Sequence, residues 1–115
     1  MEPQDFIDRN PLHWAVHNNC LKCLRTMLPQ ATQIIEEKDG NDMTPLNLAV
    51  TQLAVNSQTQ DMILGIEALL QAGADPLSMM QGSLTSLHIA AANGLEDVLQ
   101  AFLNAIRQRK EMSKF

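Results

Sequence analysis

Two cysteines three positions apart are the side chains of this sequence best suited to chemistry. Cys20 and Cys23 lie in the segment NNCLKCL, and a Cys-x-x-Cys pair can act as a redox couple or supply half of a zinc site. A tetrahedral zinc site needs four ligands, and the sequence has no second cysteine pair. A redox couple would need a thioredoxin-like strand context, which the local pattern lacks. The segment favours two helix positions, with Cys23 on the apolar face as a small buried hydrophobe.

The oxygen-rich stretch DGNDM at 39–43 is the second candidate site. A calcium loop needs a glutamate eleven residues after its first ligand, and that position holds Val50. A hairpin turn with Gly40 and Asn41 at its tip is the favoured interpretation. The sequence offers no Ser–His–Asp set, no paired carboxylates in a pocket and no Cys–His nucleophile pair that would support a mechanism. It therefore predicts no enzyme activity, no catalytic residues, no metal and no cofactor.

Composition and charge narrow the class of protein. The 115 residues are 45% hydrophobic but only 3% aromatic, which favours one helical domain with an aliphatic core. The net charge is −5, and the last ten residues are basic, so the rest of the chain is more acidic still. An acidic body argues against binding nucleic acid or anionic membranes. With no apolar leader or membrane-spanning stretch in the sequence, we expect a cytoplasmic protein.

Three copies of one short motif reveal an internal repeat. They read NPLHWAV from Asn10, TPLNLAV from Thr44 and TSLHIAA from Thr85, which gives spacings of 34 and 41 residues. An insertion at about 53–61 accounts for the longer second spacing. Each copy predicts two short helices, because a capping residue and an apolar stretch precede a turn such as Asn93-Gly94. A second apolar stripe with helical spacing follows each turn.

These motifs resemble the ankyrin repeat, and the resemblance covers nearly the whole chain. Gly73-Ala74-Asp75 matches a further element of that family, and EEKDGNDMTPL resembles the hairpin that joins its repeats. The resemblance implies an all-α solenoid of three helix-turn-helix repeats with connecting β-hairpin loops. We expect a single domain over 1–115, with repeats at about 5–37, 38–79 and 80–111. It further implies that His13 and His88 are structural, tying one hairpin to the next.

Where the sequence departs from the family pattern, it predicts a different local structure. Ala31-Thr32-Gln33 replaces the first Gly-Ala-Asp, which predicts a remodelled loop. Asn47 replaces the motif histidine of the second copy. Ile106-Arg107-Gln108 replaces the third Gly-Ala-Asp, so the last helix should run on into a charged end. This pattern is typical of a C-terminal capping repeat and predicts a complete array.

The resemblance also implies a protein-binding role through a concave face made of hairpin tips and first helices. We expect an inhibitor, adaptor or toxin-neutralising module, either monomeric or part of a hetero-complex. The alternative is a structural subunit that associates with copies of itself through its repeat faces. The residues expected at the contact face are Phe6, Arg9, His17, Asn18, Lys38, Gly40, Asn41, Met43, Thr51, Gln52, Met79, Gln81, Gly82, Leu84, Ala92 and Asn93.

Two features of that face have open alternatives. Four apolar residues, Phe6, Met43, Met79 and Leu84, are candidates for an exposed interaction site. In the alternative, Met79, Met80 and Leu84 pack within the hairpins and Phe6 caps the first repeat. The acidic residues along the edge either steer a basic partner or form a solvated rim. Those acidic residues are Asp5, Asp8, Glu36, Glu37, Asp39 and Asp42.

Overall fold

Three pairs of helices, stacked side by side, form the part of the chain that the structure describes. The structure is a computed structural model and describes residues 9–55 and 60–112. Within these residues the α-helices are α1 Pro11–His17, α2 Leu21–Met27, α3 Pro45–Val55, α4 Gln60–Gln71, α5 Ser86–Ala92 and α6 Glu96–Met112. The first helices α1, α3 and α5 pack in one layer, and α2, α4 and α6 pack in a second. The predicted all-α fold of three helix-turn-helix units is confirmed.

Each first helix begins where the motif places its capping residue. The Asn10 side chain accepts from the backbone N–H groups of Leu12 and His13, at 2.9 and 3.1 Å. This satisfies two of the donors that a helix start leaves without an intrahelical partner. Pro11 and Pro45 occupy the first helical position, where a missing N–H costs nothing. At the C-terminal end of a first helix, the turn after α5 contains Gly94, which adopts a left-handed φ of 67°.

The core runs through both layers, and the middle pair is rich in buried residues, with seven in α3 and six in α4. Six consecutive residues of α3, from Pro45 to Val50, are buried, because α3 has a helix on either side as well as α4 behind it. The fully buried large side chains at the interfaces between pairs include Leu46, Ile66, Leu69 and Phe102. A helix enclosed in this way needs no polar face, which is why the second motif copy, TPLNLAV, is apolar almost throughout.

The loops that join successive pairs are tight turns. The backbone N–H of Asp39 donates to the Met43 carbonyl at 2.9 Å, and Met80 donates to Leu84 at 2.6 Å. We call these segments hairpin 1 (residues 38–44) and hairpin 2 (residues 79–85). An isolated antiparallel bridge joins Met79 to Thr85, and no extended strand forms among the described residues. Gly40 and Asn41 form the turn as predicted, but the left-handed residue is Asp42, with φ 64°.

Departures from the repeat pattern have local structural solutions. The loop after α2 contains two short 3-10 turns, Leu28–Gln30 and Thr32–Ile34, where the second pair has the Gly73 turn. The remodelled loop predicted there is confirmed. In the second repeat α3 has 11 residues, against seven in α1, so the start of the predicted insertion extends the helix. Residues 56–59 of that insertion lie outside the described ranges. The last helix, α6, continues to Met112 as expected.

Replacing Gly73 by alanine is expected to lower the free energy of unfolding by about 1–2 kcal/mol. Gly73 has φ 106°, and no atom beyond its own residue and its two chain neighbours lies within 4 Å of a Cβ built on it. The cost therefore comes from the backbone conformation alone, which an L-residue with a Cβ adopts poorly. Urea denaturation would measure it, with Gln71→Ala on the exposed end of α4 as the control. Equal stability of the two variants would contradict the argument.

Candidate partner-binding surface

The two cysteines form a disulfide in the first turn of α2. Cys20 is the N-cap residue, and its sulfur accepts from the Cys23 N–H at 3.1 Å. The prediction of a buried free thiol at Cys23 was wrong, since this residue is exposed and bonded to Cys20. Cys23 does lie on the apolar stripe, but on the side of the first helix pair that no other described pair covers. Among the described residues, no group of three or more His, Cys, Asp or Glu could hold a metal ion.

His13 ties the first repeat to hairpin 1. Its Nδ1 accepts from the Asn10 N–H at 3.1 Å, and its Nε2 lies 2.8 Å from the Met43 carbonyl oxygen. The ring is therefore neutral, with the proton on Nε2. Burial lowers the pKa of His13 below 6.5, opposed by the hydrogen bond to Met43. The structural role expected of His13 is confirmed. His88 repeats only the local half of the pattern, accepting from the Thr85 N–H at 3.0 Å.

Asn47 performs the same two tasks with an amide. Its Oδ1 accepts from the Thr44 N–H at 3.1 Å, as His13 Nδ1 does for the first helix. Its Nδ2 donates to the Ser86 hydroxyl at 2.8 Å and lies 3.4 Å from the Ser78 carbonyl. Ser86 stands where the other copies have proline, so its hydroxyl provides the acceptor. The two departures from the repeat motif are therefore partners in one buried hydrogen bond.

Arg9 and Asp39 form an ion pair inside the fold. Their side chains are 5% and 0% exposed, and Arg9 Nε lies 3.7 Å from Asp39 Oδ2. The guanidinium also lies over the Trp14 ring, 5.5 Å from its centroid. Asp39 Oδ1 accepts from the N–H groups of Asn41 and Met43, which shapes hairpin 1. The structure thus places Arg9, expected at the contact face, in the interior, and removes Asp39 from the acidic rim.

The remaining carboxylates of that edge also have partners within the chain. Glu36 accepts from the Asp75 N–H, and Glu37 from the Asn10 side chain at 3.1 Å. Burial raises the pKa of Glu36 above its ordinary value of 4.5, and the Asp75 hydrogen bond opposes that shift. Asp42 lies 3.3 Å from Lys38 Nζ. These contacts favour the rim interpretation over steering of a basic partner; Asp5 and Asp8 lie outside the described residues.

Hairpin 2 presents the exposed apolar surface. Met79 is 53% exposed and Leu84 41%, whereas Met80 between them is buried. Leu77, just before the hairpin, is 50% exposed. We call Leu77, Met79 and Leu84 the hairpin patch. Lys38 Nζ donates to the Met79 carbonyl at 2.7 Å and so links hairpin 1 to the patch. Met79 and Leu84 are therefore exposed and do not pack within the hairpin, whereas Met80 is buried.

The first helices bring other predicted residues to the same side. Gln52 Nε2 lies 3.3 Å from His17 Nδ1, which links α3 to α1. Thr51 is half-buried and donates to the Asn47 carbonyl at 2.8 Å. Met43 is half-buried against the core, with its sulfur 3.8 Å from the Thr51 hydroxyl. Its burial leaves Met43 as a supporting residue rather than an exposed contact.

The last predicted residues divide between caps and turns. Asn18 and Asn93 are exposed C-caps whose side chains donate to the carbonyls of Trp14 and Ile89. Asn41 is half-buried in hairpin 1. Of the rest, Gly40, Gly82 and Ala92 are exposed. Phe6 lies outside the described residues, and so does the side chain of Gln81.

Sequence reasoning missed one part of the surface. Leu77 was not among the expected contact residues, because register placed the hairpin tip from Met79 onward. Its signal was present in the sequence: an apolar residue directly after Gly73-Ala74-Asp75 and a proline stands where a solvent-exposed turn is expected.

Comparisons with known proteins agree with this architecture. Residues 8–35 match the family model described as the ankyrin repeat. The chain is 29% identical over 92 residues to an ankyrin repeat-containing protein of Schizosaccharomyces pombe. That alignment covers 80% of this chain but 37% of the yeast protein, so the chain spans little more than a third of the relative's length. No solved structure matches the chain.

None of the described helices combines the length and apolar character needed to span a bilayer. The family model, the relative and the stacked helix pairs all agree with the resemblance inferred from the motif. Residues 8–35 are thus similar to an ankyrin repeat, and the described residues fold as three helix-turn-helix units, an arrangement consistent with three such repeats.

Proposed function

We propose that this protein is a non-enzymatic, cytoplasmic binding module that holds one protein partner on the face formed by its hairpins and first helices. Ankyrin repeats are in general protein-protein interaction modules. The binding module would act by occluding or scaffolding its partner, as an inhibitor, adaptor or toxin-neutralising protein. Because fold alone does not define a function, the proposal depends on the chemistry of the surface.

The observation that carries the proposal is the hairpin patch. Three large apolar side chains, Leu77, Met79 and Leu84, are each 41–53% exposed on one short segment. Clustered exposed apolar residues mark interaction sites, and methionine suits an adaptable contact. The neighbouring carboxylates make internal contacts, so the patch favours a partner with an apolar contact site over one chosen mainly for its basic charge.

The experiment combines a pull-down with mass spectrometry and calorimetric titration of the partner it identifies. The double variant Met79→Glu, Leu84→Glu should bind that partner at least ~10-fold more weakly, since an apolar anchor at the centre of an interface contributes more than ~1 kcal/mol. Met43 is left unchanged because it supports the core. Circular dichroism would verify that the variant keeps its helices.

A matched control is available in the second layer of helices. Leu103 in α6 is 52% exposed, so Leu103→Glu introduces the same charge at a similarly exposed leucine away from the hairpins. This control should retain full affinity. Equal binding by the hairpin variant and the control would overturn the proposed site.

A further inference from the structure

The disulfide between Cys20 and Cys23 adds little to the forces that hold α2 in place. The backbone N–H of Leu24 already donates to the Cys20 carbonyl across the same short interval, at 3.1 Å. The entropy that a disulfide removes from the unfolded chain grows with the length of the loop that it closes, so a bond between residues this close in sequence gives a small gain. Packing fixes α2 instead, because Leu24 is buried and its Cδ1 would lie 3.1 Å from a Cβ on Gly65 of α4. The disulfide can therefore open and close while the repeat stays folded.

Cys20 can be approached from the groove between the first two helix pairs. It is half-buried, and among the described residues it lines a depression of about 490 Å³ together with Leu21, Lys22, Arg25, Thr26 and Asp61. Asp61 belongs to the first turn of α4, so the depression lies between α2 and α4, and a helix pair stacked on the other side of α2 would not fill it. Disulfides that a thiol can reach are the labile ones, and here the Cys20 side of the bond is within reach.

The charges around this depression favour an anionic thiol. Lys22 and Arg25 are exposed cations on its α2 side, and Asp61 is the opposing carboxylate on its α4 side. Glutathione carries more carboxylates than ammonium groups, so it is an anion even before its thiol ionises. The cations therefore attract it. They also stabilise the cysteine thiolate that must leave when the disulfide opens.

We propose that the Cys20–Cys23 pair is a reversible thiol–disulfide exchange site for anionic small-molecule thiols of the glutathione class. The thiolate of one glutathione attacks Cys20 Sγ and forms a mixed disulfide, while the Cys23 sulfur leaves as a thiolate and takes up a proton. The thiolate of a second glutathione attacks the glutathione sulfur of that mixed disulfide, which gives oxidised glutathione and releases the Cys20 thiolate. Both electrons come from glutathione, and excess oxidised glutathione drives the same steps in reverse. This site is independent of the partner proposed for the hairpin patch.

Equilibration of the chain with glutathione buffers tests the proposal. Alkylation traps the free thiols, and mass spectrometry counts them without ambiguity because the sequence has no other cysteine. A buffer as reducing as the cytosolic glutathione pool should convert the disulfide to the dithiol, and one as oxidising as the ER lumen should restore it. Circular dichroism should show the same helix content in both buffers. A disulfide that persists in the reducing buffer would overturn the proposal, and so would loss of helix on reduction, since the bond would then be a structural staple.

The rate of reduction tests the choice of an anionic thiol. The double variant Lys22→Gln, Arg25→Gln should react with glutathione about 3-fold more slowly or less, since attraction by nearby cations raises association rates. Added salt should narrow the difference from the wild type. With 2-mercaptoethanol, which has no carboxylate, the variant should lose less of its rate.

A matched control removes the same charge from another helix. Arg107 and Arg109 are exposed on α6, and Arg107→Gln, Arg109→Gln should react with glutathione at the wild-type rate. Equal slowing of the two double variants would show that only the net charge of the chain matters. That result would overturn the assignment of the depression as the glutathione site.

Discussion

Replacing Asp39 by alanine is expected to lower the free energy of unfolding by about 3–5 kcal/mol. The substitution leaves the Arg9 side chain, which is 5% exposed, without its carboxylate partner. It also removes the acceptor of the Asn41 and Met43 N–H groups that shapes hairpin 1. Each repeat is stabilised mainly by its contacts with neighbouring repeats, so damage at one such contact weakens the whole array. The total stability of a domain is small, about 5–15 kcal/mol, and a loss of this size is a large fraction of it.

Two further variants separate the charge from the turn. Asp39→Asn keeps an oxygen for the turn but removes the charge, so its loss of stability reports on the Arg9 pair. Asp42→Asn removes the same charge where the side chain is 40% exposed and paired with Lys38, and should cost no more than about 1 kcal/mol. Urea denaturation followed by circular dichroism measures all three. Similar losses for Asp39→Asn and Asp42→Asn would contradict a special role for the buried pair.

The second large effect is a loss of stability as the pH falls below about 6.5, caused by His13. Burial lowers the pKa of His13 in the folded chain, so the unfolded chain takes up a proton that the folded chain does not. The stability contributed by neutral His13 is fully present above the pKa of the unfolded chain. It is lost as the pH falls toward the lower pKa of His13 in the folded chain. Within that window the unfolding free energy should drop by about 1.4 kcal/mol per pH unit. Protonation of Nδ1 would also break the hydrogen bond that Nδ1 accepts from the Asn10 N–H.

The repeat itself supplies the control for this titration. Asn47 performs the His13 tasks in the second copy, so His13→Asn offers the same donor and acceptor without a group that titrates near neutral pH. The wild type should lose more stability than His13→Asn between pH 6.5 and lower values. Glu36 contributes the opposite slope above pH 4.5, because its folded pKa is raised, and it does so in both proteins. Parallel stability curves would show that His13 is not the cause.

The repeat, the helix pairs and the hairpin positions could be predicted because the signals are local. A capping residue recurs in all three copies and a proline follows it in two of them, and each acts on the residues beside it. Contacts between distant residues were not predictable in the same way. Nothing near Arg9 shows that its guanidinium meets Asp39, or that the Asn47 amide meets the Ser86 hydroxyl one repeat later. Both pairings depend on how adjacent repeats stack.

The position of a helix pair in the array explains the remaining differences between predicted and observed burial. Periodicity placed Cys23 on the apolar stripe, and the equivalent Val98 is indeed buried. Cys23 is exposed because a stripe position is covered only where another helix pair packs on it. The same stacking that buries the Leu28 side chain leaves that of Leu103 half exposed. A helical pattern therefore identifies the face of a helix, but the number and order of repeats decide whether that face meets solvent.

The hydrogen bond from Lys38 Nζ to the Met79 carbonyl would also affect the free energy of the proposed partner binding. This exposed hydrogen bond joins two hairpin residues that are 41 positions apart in the sequence, so it restrains the separation between the hairpins in the folded chain. Ordering a flexible loop during association consumes part of the interaction free energy. In the proposed binding role, part of that ordering would already be complete before a partner arrives. The hairpin patch would then keep a larger share of its contact energy as affinity.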